Sequence, residues 1–427
     1  MDNLSDDILV EIWSRVPCKV AVRCKSISKR FLSFISQANF IERFIDHHHT
    51  LLQQMKEEDH EKQYYFNFVS RGIFLILFLP TIHLSNLQTQ NQLYLGPQFD
   101  PYDVTKEDPP STRILGCSNG LLLCKKSEQD RIYYVCNPIT KDYVHLPPLP
   151  PFTGQNRRDR VLEGFLCEPY YRVEGDRVKV NVNRASPRFR VVRIPCFDGT
   201  ANDFLYGVTK YEFEVVVFSS ETGQWSTKIV SCPSGFTQTN VWVPAVAHKG
   251  RLYFMGKTSL LVYDPFSNDG KSDTVDYPVM SYQRNVPLRC HVGVCCGNIR
   301  ICGVSIVESV VPNVSFSACV CVWDLKEESG WRLVHKTYIP RQEMGNCVRP
   351  ELGPVQAVEL LGRGVQVRAF HPYHGDVVFF QYVHRIFVGN LKTNQFDTVG
   401  YGIHGFQSLQ TISLDLPCWP TPLPFIP

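Results

Sequence analysis

Gly297-Asn298-Ile299-Arg300-Ile301-Cys302 is followed by Cys319-Val320-Cys321-Val322-Trp323-Asp324, then by the polar turn Glu328-Ser329-Gly330 and the run Trp331-Arg332-Leu333-Val334. Two short apolar runs rich in β-branched residues, a polar turn, and a return run that opens on an aromatic spell a small antiparallel sheet. The same order recurs on both sides. Upstream, Asn119-Gly120-Leu121-Leu122-Leu123-Cys124 precedes Tyr133-Tyr134-Val135-Cys136-Asn137-Pro138 and Tyr143-Val144-His145-Leu146. Phe189-Arg190-Val191-Val192-Arg193-Ile194 precedes Phe213-Glu214-Val215-Val216-Val217-Phe218, which turns through Ser220-Glu221-Thr222-Gly223 into Trp225. Gly250-Arg251-Leu252-Tyr253-Phe254 precedes Leu260-Leu261-Val262-Tyr263-Asp264-Pro265. Downstream, Gly375-Asp376-Val377-Val378-Phe379-Phe380 precedes Ile386-Phe387-Val388-Gly389-Asn390 and Phe396-Asp397-Thr398-Val399. Units of roughly 50–75 residues, each a sheet that cannot bury both of its faces alone, must stack, and a β-propeller is the architecture that stacks them. The strands around residues 64–79 are candidates for a sixth blade or for closing the ring. A pair of sandwiches is the structural alternative.

Residues 1–45 read differently. Leu4, Ile8, Leu9, Ile12, Trp13 and Val16 recur at steps of three and four on one helix face. Ser5 is placed to cap that helix, Asp6 and Asp7 occupy its first turn, and Pro17 ends it. A second stripe runs through Cys24, Ile27, Phe31, Phe34 and Ile35, with Lys25, Lys29 and Arg30 on its other side. A third short helix holds Phe40, Ile41, Phe44 and Ile45. Three helices of this length make a thin core with more apolar residues than it can enclose. The module either docks on the following domain or offers a spare apolar face to a partner. From Asp46 to Gln63 the chain turns to Gln, Glu, Lys and His and reads as an exposed linker. His47-His48-His49 cannot converge on one metal ion, because consecutive helical side chains point about 100° apart. A solvated helix end is expected there.

The stretch Leu4-Ser5-Asp6-Asp7-Ile8-Leu9-Val10-Glu11-Ile12-Trp13-Ser14-Arg15-Val16-Pro17 resembles the opening of an F-box. Lys19, Arg23-Cys24-Lys25-Ser26-Ile27-Ser28-Lys29-Arg30-Phe31, Phe34-Ile35 and Phe40 continue the resemblance. Ser5 stands where that family most often has proline, Trp13 where leucine is usual, and Phe31 where tryptophan is usual. The β region is similar to the F-box-associated propeller of plant F-box proteins. Gly116-Cys117-Ser118-Asn119-Gly120-Leu121-Leu122, Cys136-Asn137-Pro138-Ile139-Thr140-Lys141, Val217-Phe218-Ser219-Ser220-Glu221-Thr222-Gly223-Gln224-Trp225 and Val322-Trp323-Asp324-Leu325 carry that similarity, in this order.

The resemblance implies a multidomain chain with a small all-α F-box of three helices at residues 1–45 and a linker at 46–63. An all-β propeller at 64–416 and a proline-rich tail at 417–427 follow. It implies the substrate-recognition subunit of a Skp–cullin–F-box ubiquitin ligase, non-catalytic and without a cofactor, working in the cytoplasm or nucleus. A Skp-type adaptor, and through it a cullin, would sit on Leu4, Ile8, Leu9, Ile12, Trp13, Val16, Pro17, Cys24, Lys25, Ile27 and Phe31. The β domain would hold an unidentified target protein. The alternative is a stand-alone propeller binding module, or a glycan-active propeller enzyme, with a helical cap.

The bulk properties agree with a globular protein: 44% hydrophobic and 20% charged residues, with a net charge of +3. So small a charge gives no strong pull toward nucleic acid or an anionic membrane. The longest apolar run, Ile73 to Leu79, is stopped by Pro80, whereas a membrane helix needs about 20 such residues. The opening residues are acidic and lack the apolar core of a secretory leader. The 16 cysteines are scattered without C-x-x-C spacing, so they read as small buried hydrophobes in a reducing compartment.

Two motifs imitate chemistry. Gly116-Cys117-Ser118-Asn119-Gly120 fits G-x-S-x-G, but it runs into a strand rather than a helix, and Ser-Asn-Gly is ordinary hairpin chemistry. Gly256-Lys257-Thr258 has one residue too many after Gly250 for a phosphate loop and reads as the turn after a strand. Between Arg157 and Arg193 basic residues outnumber acids, and Val178-Lys179-Val180-Asn181-Val182 alternates. A solvated sheet face is one reading. The sharper one is an anion site for a phosphorylated or acidic target, made by Arg188, Arg190 and Arg193. The proline-dense Pro417-Cys418-Trp419-Pro420-Thr421-Pro422-Leu423-Pro424 reads as a tail packed along the last blade or as a polyproline ligand.

Overall fold

The computed structural model describes residues 5–16, 18–58, 64–69, 73–78, 113–125, 132–150, 161–174, 177–180, 187–197, 208–238, 243–278, 289–308, 316–340, 365–382, 385–401, 410–415, 417–424 and 426–427. Four helices come first: α1 (Asp6–Trp13), α2 (Cys18–Cys24), α3 (Lys29–Ile35) and α4 (Ala38–Glu58). The expected second stripe is therefore divided between α2 and α3. Ser28 causes the break, because its side chain accepts the Phe31 N–H at 3.2 Å and starts a new helix. Ser5 makes no such side-chain cap, and α1 stops at Trp13. Leu4 and Pro17 lie outside the described residues. The polar stretch read as a linker is helical as far as Glu58. His48 corrects the solvated-end reading. It is buried, its ring packs 4.1 Å from that of Phe44, and its Nε2 donates to the Val16 carbonyl at 3.2 Å.

Two strands follow, β1 (Tyr64–Val69) and β2 (Ile73–Phe78), and then the blades. Blade one is β3 (Arg113–Ser118), β4 (Leu121–Lys125), β5 (Tyr133–Cys136) and β6 (Tyr143–His145). Blade two begins with β7 (Val161–Cys167), inserts a hairpin of β8 (Tyr171–Glu174) and β9 (Arg177–Val180), and resumes with β10 (Phe189–Pro195), β11 (Thr209–Ser219) and β12 (Gln224–Thr237). Blade three is β13 (Val246–His248), β14 (Arg251–Met255), β15 (Ser259–Tyr263) and β16 (Ser272–Asp276). Blade four is β17 (Arg289–Cys295), β18 (Asn298–Glu308), β19 (Phe316–Lys326) and β20 (Gly330–Pro340). Blade five is β21 (Val365–Phe370), β22 (Val377–Tyr382), β23 (Arg385–Asn390) and β24 (Gln395–Tyr401). All five are antiparallel and coincide with the five repeats read from the sequence. The strands near residue 70 join the chain's late part: β2 pairs with β1 antiparallel and with β25 (Gln410–Asp415) in parallel, and β25 lies beside β21.

Strand periodicity explains why the blades stack. Within β10, Phe189 and Val191 enter a core shared with blade one, while Val192 and Ile194, on the opposite face, enter a core shared with blade three. Further shared cores join blades three and four and blades four and five. Gly164 lets two inner strands approach, since a Cβ there would lie 2.8 Å from the Phe254 ring and 2.9 Å from Leu252.

The turns repeat as well. Asn119-Gly120, Lys249-Gly250 and Cys296-Gly297 all have positive φ at both positions, the two-residue turn that matches strand twist. Asn137, Asp264 and Asn390 each accept two backbone N–H groups two and three residues ahead, closing the turn from the third strand to the fourth in blades one, three and five. The aromatic that opens the fourth strand also has a purpose. Trp225 donates from Nε1 to the Pro147 carbonyl at 2.9 Å, and Trp331 to the Asp276 carbonyl at 2.7 Å, each reaching back to the preceding blade.

Candidate functional site

The helical head sorts its apolar residues into two sets. Leu9, Cys18, Ala21, Cys24, Phe34, Ile35, Phe40, Ile41, Phe44 and Ile45 are buried in one core, which extends to Val178 and Val180 of β9 and to Cys418 and Trp419. A second set stays in water: Ile8 is 48% exposed, Ile12 49%, Val20 37%, Ile27 63% and Leu32 49%. Ile8 and Ile12 stand one turn apart on α1, so they present one apolar ridge. Trp13 and Phe31 meet edge to face at 5.3 Å and hold α1 against α3. Arg30 of α3 reaches Asp6 of α1 at 3.1 Å. On the other flank Glu11 takes Arg43 at 2.9 Å and also Arg15; these bonds, Arg43's first, hold its carboxyl below the usual range.

The residues carried over from the F-box pattern thus fall into classes that periodicity alone could not separate. Ile8, Ile12 and Ile27 face solvent; Leu9 and Cys24 are core; Trp13, Val16 and Phe31 are half-buried between the two. Lys25 points elsewhere. Its ammonium lies 5.4 Å over the Trp419 ring, and burial there pushes its pKa down. Val20 and Leu32 were missed, because each falls off the stripes; a large apolar residue outside a helix's own stripe was the available signal.

The head is also seated on the body. Val178 donates its N–H to Asp46 at 3.2 Å and Val180 donates to Glu42 at 3.0 Å, so two acids of α4 satisfy the edge of β9. The alternation therefore buries Val178 and Val180 against a helix and leaves Lys179 exposed, while Asn181 and Val182 lie outside the described residues.

Arg188, Arg190 and Arg193 do not converge. Strand parity puts Arg190 and Arg193 on opposite faces of β10. Arg188 donates from Nε to Glu168 at 2.9 Å and reaches Glu221; Arg190 donates to Glu221 at 2.8 Å, and both guanidinium groups lie over the Phe266 ring. Arg193 is 1% exposed, 3.7 Å from Glu163 and over the Tyr133 ring. Their charges already meet carboxylates.

The motifs that imitate chemistry resolve structurally. Ser118 accepts the Cys167 N–H at 3.1 Å, and Asn119-Gly120 is the hairpin turn into β4. Gly256 bonds back to the Ser259 carbonyl in the turn between β14 and β15. Arg300 and Asp324 form a buried fork of 2.6 and 3.1 Å bonds, and Arg300 also reaches the Gly375 carbonyl of blade five. The described cysteines are mostly buried. No helix among the described residues is long and apolar enough to cross a membrane.

Residues 93–404 match the family model described as "F-box protein At3g26010-like, beta-propeller". The chain belongs to this family. Among curated relatives, the F-box protein At3g26010 of Arabidopsis thaliana is 23% identical over 92% of this chain and 78% of its own length. The F-box protein CPR1 of Arabidopsis thaliana is 28% identical over 53% of this chain, and F-box protein At5g07610 is 26% identical over 54%. Those two are covered over 45% and 46% of their own lengths, so the chain spans about half of each. A chain from the crystal structure of the mitotic checkpoint complex aligns over 72% of this chain and 85% of itself at a TM-score of 0.33 and 8% identity, too low to bear on fold or function.

Proposed function

We propose that this family member is the substrate-recognition subunit of a Skp–cullin–F-box ubiquitin ligase. Residues 1–45 take the Skp-type adaptor and, through it, a cullin; the propeller within 64–416 takes the target protein. One observation carries the reading. The head fills its own core and its seat on β9 with one set of apolar residues, yet leaves Ile8, Ile12 and Ile27 in water. A helical module that is already packed has no internal use for an exposed Ile8–Ile12 ridge, and a partner helix does. The relatives' shared description as F-box proteins supports the same reading. Tethering adaptor and target on one chain raises the effective concentration of target lysines near a conjugating enzyme, and the ubiquitin chemistry belongs to other subunits.

Contact between α4 and β9 also favours a second reading, in which the head is only a cap on a stand-alone binding propeller. Co-purification with a Skp-type adaptor decides between them. The full chain retains the adaptor, while a chain lacking residues 1–45, and an Ile8→Glu/Ile12→Glu chain with folded blades, both lose it. A full chain that never retains the adaptor leaves the cap reading.

A further inference from the structure

The proline-dense segment 417–427 touches three separate parts of the molecule. Trp419, 2% exposed, sits edge-on to Phe44 at 5.0 Å and to Phe40 at 5.8 Å in α4, beneath the Lys25 ammonium. One residue earlier, the Cys418 N–H donates to the Tyr171 hydroxyl of β8 at 3.0 Å. Thr421 donates its hydroxyl to the Asn119 carbonyl at 2.5 Å and accepts from Asn137 Nδ2 at 2.8 Å, both in blade one. Leu423 and Ile426 then pack on the core shared by blades one and two. The segment therefore runs along the first two blades and the head, not along the last blade.

The fit is built from both sides. Gly120 leaves the space that Pro417 fills, since a Cβ there would lie 2.5 Å from the proline Cδ. Phe40 and Phe44 are fully buried, and Trp419 is part of what covers them. Prolines at 417, 420, 422 and 424 fix φ and lack N–H donors, so docking costs little chain entropy and strands few amides. Among the described residues, the direct polar seam between head and body also includes the Asp46 and Glu42 contacts to β9.

We propose that segment 417–427 is a brace that fixes the orientation of the helical head on blades one and two, with Trp419 as its positioning residue. Its consequence for ubiquitin transfer, a constant geometry between adaptor and target, rests on the ligase reading; the brace itself does not. Without it the head swings about its seat on β9.

The test places a donor and an acceptor dye at exposed Ser36 in the head and Thr258 in blade three, through unnatural amino acids that leave the native thiols untouched. Single-molecule transfer efficiencies are compared in the full chain, a chain ending at residue 416, Trp419→Ala and Trp419→Phe, with near-ultraviolet dichroism reporting on the blades. The full chain gives one narrow distribution. Truncation and Trp419→Ala broaden it at least twofold, a synthetic 417–427 peptide added in trans narrows the truncated chain again, and Trp419→Phe lies between. A distribution that stays narrow in a folded Trp419→Ala chain, or one already broad in the full chain, overturns the brace. Adaptor co-purification is scored on the same samples. A narrow full chain without adaptor removes the ligase reading and leaves the brace standing.

Discussion

Trimming Ile8 and Ile12 to alanine separates docking from folding. About half of each side chain is in water, 48% for Ile8 and 49% for Ile12. Complete burial of an isoleucine is worth about 1.5–3 kcal/mol, so covering the exposed halves contributes about 0.7–1.5 kcal/mol each to a docked complex. Losing both costs about 1.5–3 kcal/mol of binding, which is roughly a 10- to 100-fold weaker Kd for the adaptor. The already buried halves cost the free chain up to about 1.5 kcal/mol each. Leu9→Ala is the internal control. At 3% exposure it belongs to the core, and its loss costs about 2–5 kcal/mol of head stability without removing exposed docking surface. Calorimetric titration of purified adaptor into each variant, alongside thermal melts, gives both quantities. A folded Ile8→Ala/Ile12→Ala chain that binds the adaptor within twofold of the unaltered chain would refute the ridge as its docking surface.

Three further outcomes test the polar interior. Burial, and then the neighbouring His374, push His371 down to about 3, and its Nδ1 accepts the N–H groups of Tyr373 at 3.1 Å and His374 at 3.2 Å. The unfolded chain takes that proton first, so stability is lost as pH falls from about 6.5 toward 3, at up to about 1.4 kcal/mol per pH unit. His371→Asn keeps an acceptor there and should flatten the loss between about pH 6.5 and 5 by up to about 2 kcal/mol in urea titrations; an unaltered slope counts against the assignment. Arg300→Met strands Asp324 and should cost about 3–5 kcal/mol, with much of it recovered in Arg300→Met/Asp324→Leu; a melt that barely moves would refute the buried fork. Arg193→Met should likewise behave as a core lesion, whereas Arg188→Ala should change stability by less than about 1 kcal/mol; equal effects would contradict their placement on different faces.

Much of the β architecture was legible because its signals are local. Turn pairs such as Asn119-Gly120 and runs such as Val215-Val216-Val217-Phe218 state strand and turn in a few residues, and five copies state the stacking. What stayed hidden depends on residues far apart in sequence. Parity along β10 separates Arg190 from Arg193, yet a basic stretch read by composition alone hides that separation, and Glu221 lies a whole hairpin away. His48 looked solvated because nothing near it in sequence shows that Val16 would return to it. Trp419 reads as part of a tail on the last blade, or of a polyproline ligand, because its partners, Phe40 and Phe44, are separated from it by the entire propeller. In the head, period alone places Ile8 and Leu9 on one face of α1 and cannot divide them, since that division depends on where α4 lies.

The same contrast bears on where function resides. Of the three arginines read as an anion site, Arg188 and Arg190 meet Glu168 and Glu221 and Arg193 meets Glu163; Arg300 in turn meets Asp324. Paired in this way, they hold blades together and have little charge left to offer an anion. The Ile8–Ile12 ridge differs in kind. An apolar surface in water is a standing cost to a monomer, about 0.7–1.5 kcal/mol for each half-exposed isoleucine, and only a partner that covers it recovers that free energy. A module seated on the body through α4, with its ridge on α1 turned outward, can take such a partner without disturbing its own seat.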